Sequence, residues 1–110
     1  MDCLFCKIVR KESAAEIILE DDEIVVLKNI YPKAEIHFLI IPKKHIESID
    51  SLEEFDINLA GKLIFTAKLI ADKLNLKDRY KLVFNVGREG GQFINHIHLH
   101  FLSGKKIEMP

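Results

Sequence analysis

Residues 96–102 read His-Ile-His-Leu-His-Phe-Leu, and no other run narrows the possible folds of this chain so far. Imidazole and apolar side chains alternate without a break. A period of two belongs to a β-strand, whose successive side chains point to opposite faces. A strand is therefore expected over 96–102, with Ile97, Leu99 and Phe101 on a core face and His96, His98 and His100 facing a cleft or solvent. Thr, Lys or Glu would serve a plain solvated face equally well, so three successive histidines need a chemical reason. A single metal shared by all three is excluded by length. Alternate residues stand about 6.5–7 Å apart, which puts His96 about 13 Å from His100, whereas a zinc–nitrogen bond spans only about 2.1 Å. The three histidines must divide their labour. A neutral imidazole attacks phosphorus or a carbonyl carbon when its other nitrogen is held as the N–H donor. A second histidine one pleat along can supply a proton. His98, with a neighbour on each side, is the candidate nucleophile.

The rest of the chain supplies a setting for such a strand. β-Branched runs at 16–20 and 23–27, split by Asp21-Asp22, read as a hairpin. A third strand is expected over 37–42, stopped by Pro42, and a fourth over 81–86, followed by the turn Gly87-Arg88-Glu89-Gly90-Gly91. Ser51 and Glu54 have capping-box spacing ahead of a long helix reaching about Leu74. Its stripe of Phe55, Leu59, Leu63, Ala67, Ile70 and Leu74 is read as core. Residues 3–11 form a short helix or knuckle. The expected fold is α+β, a five-stranded antiparallel sheet with one long and one short helix, and the 110 residues make one domain over 1–110.

Composition excludes several partners. A net charge of −1 gives no field for a nucleic-acid backbone, and the pairs Lys43-Lys44 and Lys105-Lys106 read as solvated surface. There is no apolar run of membrane-spanning length and no secretory leader, so no membrane partner and a cytoplasmic location are expected. Cys3 and Cys6 enclose too small a loop for a useful disulfide. Metal ligation and two plain thiols remain as readings. His37 falls mid-strand near the core and is read as structural.

The pattern His-apolar-His-apolar-His-apolar-apolar from His96 to Leu102 resembles the signature of the histidine triad family. Phe5-Cys6-Lys7-Ile8-Val9 with Glu20-Asp21-Asp22, the run His37-Phe38-Leu39-Ile40-Ile41-Pro42-Lys43-Lys44-His45, and Asn85-Val86-Gly87 with Gly90-Gly91-Gln92 resemble the HINT branch, in its order and over nearly the whole chain. The resemblance implies a homodimer with a continuous sheet. It also implies a purine nucleotide substrate whose nucleoside monophosphate is cleaved from a second group, as in phosphoramidates and aminoacyl adenylates. His98 would take the nucleotidyl group and His100 would lie by the scissile bond. Asn85, the backbone N–H of Gly91, and Gln92 would face the phosphate. Asn29 stands where the family commonly has an Asp for the ribose hydroxyls, Phe93 where relatives often have Ser, and Met109 where several carry Trp. Bacterial relatives imply a structural zinc on Cys3, Cys6, His45 and His96, compatible with catalysis because His98 keeps its free nitrogen. Two other functions fit the same residues: a zinc-stabilised nucleotide-binding or interaction module with little turnover, and a dinucleoside polyphosphate hydrolase.

Overall fold

The computed structural model of the protein describes residues 3–104 and residue 107, so Lys105-Lys106 and Met109 lie outside the described residues. In chain order come α1 (Leu4–Val9), β1 (Ile17–Glu20), β2 (Ile24–Lys28), β3 (Ile36–Pro42), α2 (Ile57–Lys73), β4 (Lys81–Phe84) and β5 (Leu99–Ser103). The strands form one five-stranded sheet in the order β1-β2-β3-β5-β4, antiparallel throughout. The expected α+β architecture is the one observed.

Side-chain alternation sorts the sheet into two faces with separate cores. Ile24 and Val26 of β2, Phe38 and Ile40 of β3, and Leu99 and Phe101 of β5 meet Leu63, Ala67 and Ile70 of α2. On the other face, Val25, Leu27, Leu39 and Ile41 meet Cys3, Phe5 and Ile8 at the N-terminal helix. That helix is only six residues long and covers little of its face, which leaves the β4 side open. β2 and β3 are buried on both faces, which is why they read as continuous apolar runs.

The start of α2, the end of β4 (Phe84 rather than residue 86) and the start of β5 differ from expectation. Ser51 does not cap α2. It closes a 3-10 turn whose cap is Ser48, and a second 3-10 turn, Glu54–Asp56, leads into the helix. Asp56 closes the box instead, accepting the Glu53 amide at 3.0 Å and the Lys44 ammonium at 2.6 Å. Phe55 therefore falls outside the helix, 78 % exposed beneath the Lys44 ammonium rather than in the core. Leu74 follows the helix end and is likewise exposed.

The third difference bears on the histidines. β5 begins at Leu99, not His96. Its last partner on β3 is Ile40, because β3 ends at Pro42. The Pro42 carbonyl accepts the His96 ring at 2.8 Å in place of a strand amide. The His96 amide turns back to Ile94 at 2.8 Å, and the Ile97 amide reaches Ile46 at 2.7 Å.

Phe101 joins the sheet to the helix-side core. It is fully buried and stacks between Phe38 and Tyr80, with ring centroids 6.0 and 4.9 Å away. Phe101→Ala should lower unfolding free energy by about 3–5 kcal/mol in urea titrations. A loss below about 1 kcal/mol would show that the sheet does not depend on this stack.

Candidate active site and metal centre

The sheet face left open by α1 holds a cavity of about 980 Å3. Strand parity brings residues from distant parts of the chain to its floor: Leu39 from β3, Lys81 and Val83 from β4, and His100 and Leu102 from β5. His98 joins them just ahead of β5, and Asn29, Lys33 and His37 come from the β2–β3 connection and the β3 start. His98 and His100 thus share the open face as expected, their ring centroids 5.0 Å apart.

Hydrogen bonds fix which nitrogen of each ring carries the proton. The His98 Nδ1–H donates to the His96 carbonyl at 2.7 Å, so Nε2 holds the lone pair. For His100 the order is set from further away. The Lys33 backbone N–H donates to His37 Nδ1 at 3.0 Å. The His37 proton then sits on Nε2 and is donated to His100 Nδ1 at 2.9 Å. His100 consequently carries its own proton on Nε2. One imidazole therefore presents a lone pair and its neighbour a donor.

Burial keeps these rings neutral. It pushes the His98 pKa below the ordinary imidazole value against the pull of the His96 carbonyl, and it lowers that of His37 with help from the Lys33 charge. His100 falls to about 4, first through burial and then through the charges of His98, His37 and Lys33.

His96 turns the other way. Its ring is completely buried, with Nε2–H bound to Pro42, and its Nδ1 lone pair lies 3.4 Å from Cys3 Sγ, 3.6 Å from Cys6 Sγ and 3.2 Å from His45 Nδ1. All four ligand atoms lie within 4.8 Å of one another. Cys3 is the N-cap of α1 and Cys6 its third residue, which is how a two-residue gap places both sulfurs on one side. A tetrahedral ion with Zn–S and Zn–N lengths would set its ligands about 3.3–3.8 Å apart, close to these separations. Burial, and after it the Cys3 thiol, raise the Cys6 pKa, against a smaller lowering by the Arg10 charge. The donor set fits one metal ion closed on all four sides.

The glycine turn differs from expectation. The Gly91 amide donates to Arg88 at 3.0 Å and the Gln92 amide to Gly87 at 2.9 Å, so neither is turned to the cavity. The Gln92 side chain, 2 % exposed, accepts from the Gly87 amide and donates to the Glu47 and Ile94 carbonyls. It is the turn's scaffold and does not line the cavity, whereas Asn85 and Gly91 do. The Asn85 amide holds the turn through the Gly90 carbonyl at 2.9 Å. Asn29 reaches the cavity with its Oδ1 taken by the Tyr31 amide.

His37, expected as a structural residue, belongs to the site as well. It is buried, as a structural histidine would be, but it also orients His100. It shares strand parity with Leu39 and Ile41, and only the β3–β5 register, pairing Leu39 with His100, places it diagonally beside the triad.

An α+β sheet that carries a lone-pair imidazole beside an N–H imidazole has counterparts among known proteins. A family model described as "Scavenger mRNA decapping enzyme C-term binding" matches residues 2–109. The chain is 39% identical over 109 residues to an uncharacterized HIT-like protein from Synechocystis, covering 99% of this chain and 96% of that one. A HIT family hydrolase from Legionella pneumophila superposes with TM-score 0.94 at 43% identity, over 99% of this chain and 98% of its own. A histidine triad protein from Clostridium difficile superposes with TM-score 0.94 at 31% identity, over 100% and 96%. The chain belongs to the histidine triad family.

A ring kept neutral by burial ties stability to pH. The unfolded chain protonates near pH 6.5 at position 100 and the folded one near 4, so unfolding binds protons between these values and stability falls as pH drops through them. His100→Gln should flatten the stability curve across that window in chemical denaturation. An unchanged slope would mean that His100 titrates normally in the folded state.

Proposed function

We propose that the protein is a nucleotide hydrolase or transferase that cleaves nucleoside monophosphate conjugates, phosphoramidates and aminoacyl adenylates among them, through a nucleotidyl-histidine at His98. The observation that carries this reading is the bond from His98 Nδ1–H to the His96 carbonyl at 2.7 Å, which leaves Nε2 as a lone pair at the cavity. Nε2 forms a bond to phosphorus as the bond from phosphorus to the leaving group breaks. Water then attacks phosphorus and releases the ring. The His100 Nε2–H hydrogen-bonds the phosphate as negative charge builds on it. Leu27, Ile30, Phe5 and Ile8 give the cavity an apolar wall suited to a purine base. The Legionella relative's description as a hydrolase supports the same reaction class.

Cys3, Cys6, His45 and His96 would hold a structural zinc, since two thiolates and two imidazoles at tetrahedral spacing are its preferred set. The ion would tie α1 to the histidine segment. The protein would work as a homodimer in the cytoplasm. The pairing is supported by the exposed Ile57, Ile64, Phe65 and Leu69 along α2 and by β4 at the sheet edge. No described helix is long and apolar enough to cross a membrane.

His98→Ala should abolish turnover of adenosine monophosphoramidate, by at least about a thousandfold, while circular dichroism stays unchanged. Mass spectrometry of the quenched wild-type reaction should find a nucleotidyl adduct on His98. Retained activity in His98→Ala sinks the mechanism. Metal analysis of protein purified without chelator should give close to one zinc per chain, lost in the Cys3→Ser, Cys6→Ser double variant. Metal-free native protein would remove the zinc assignment. Sedimentation at micromolar concentration should give a dimer, and a monomer would end that part of the proposal.

A further inference from the structure

The charge around the cavity is one-sided. Its lining carries Lys28, Lys33 and Lys81 and, among the described residues, no Asp or Glu. Lys28 leans on Glu16 at 3.9 Å, which spends part of its charge, and Lys81 stands on the cavity face of β4. Lys33 differs. It is exposed, and its ammonium pairs with no carboxylate among the described residues. It is near enough to His37 and His100 to lower the pKa of both. Its backbone amide is fixed by His37 Nδ1, so the stem of the side chain is anchored at the cavity wall.

One phosphate facing His98 and His100 leaves this arrangement unbalanced. The two rings there are neutral, and the Lys33 cation sits to the side of them, next to His37 and on the same connection as Asn29. A cavity of about 980 Å3 has space for a further group on that side. Asn29 presents an uncharged amide, so no fixed negative charge opposes an anion there.

We propose that this site selects nucleotides bearing a second phosphate, with Lys33 as the residue that reads it. The inference rests on the nucleotide reading of the site given above. Two kinds of nucleotide carry the required dianion: those phosphorylated on the ribose, and those with an extended 5′ phosphate chain. Because Lys33 is exposed, its contribution is modest and screened by salt. It acts on recognition, and its backbone, not its ammonium, sets the His37 and His100 protons.

The test is calorimetric binding of 5′-AMP, adenosine 3′,5′-bisphosphate, adenosine 2′,5′-bisphosphate and ADP to the full-length protein as purified, at low and high salt. The same titrations are run on Lys33→Gln, which keeps the backbone N–H, and on the remote surface control Lys77→Gln. At least one doubly phosphorylated ligand should bind wild type about fivefold or more tightly than 5′-AMP at low salt. Which one does so tells ribose phosphate from chain extension. The advantage should fall to within about twofold in Lys33→Gln, persist in Lys77→Gln, and shrink as salt rises. Equal binding of all four ligands to wild type, or a preference that survives in Lys33→Gln, overturns the assignment and leaves the nucleotide reading standing. Failure of every ligand, 5′-AMP included, overturns both.

Discussion

The rest of the site depends on the way His96 is divided between two neighbours. Its ring faces Cys3, Cys6 and His45, while its carbonyl receives the His98 proton. The ring can point inward only because Pro42 ends β3 and offers a carbonyl where the ladder would otherwise continue. The same bond that stops the strand frees the Nδ1 lone pair of His96. A residue that holds the N-terminal helix thereby also sets the tautomer of its neighbour two positions on. Fold closure and the tautomer of His98 meet in one side chain and its own backbone.

Much of this was legible in the chain, and what was not has definite causes. The parity of His98 and His100 and the apolar face of Leu99 and Phe101 follow from a period of two, which β5 obeys once it begins. The parity of His96 did not survive, because the sequence gives no sign that β3 stops pairing at Ile40. The cap of α2 was misplaced for a related reason. Ser51 and Glu54 have the right spacing, but Asp56 has a buried position and a Lys44 partner drawn from another element. His37 was missed because strand order is not written in local pattern: β3 and β5 are neighbours only through a crossover. Gln92 differs in the opposite way, with both amide hydrogens and one lone pair of its carbonyl taken by backbone groups.

The electrostatic character of the cavity is also a matter of burial more than of charge. Four of the chain's five histidines have their pKa values lowered, each with burial as the leading cause. A carboxylate beside any of them would have worked in the opposite direction, raising the pKa and favouring the charged imidazolium. The lack of acidic groups in the described lining is therefore of a piece with imidazoles that stay neutral.

Position 33 separates two tasks that most site residues combine. Its backbone N–H starts the proton order that runs through His37 to His100, and its side chain projects into the cavity wall. Any residue with an amide hydrogen can keep the first task while changing the second. The side chain can therefore drift, or be varied in a library, to retune what the site accepts while the proton order behind it is kept. Proline is the one substitution closed to this route, since it alone removes the hydrogen on which the order depends. The architecture makes this loop position a point of evolvability, adjustable in charge and shape while the tautomers of the histidines behind it are held by the backbone.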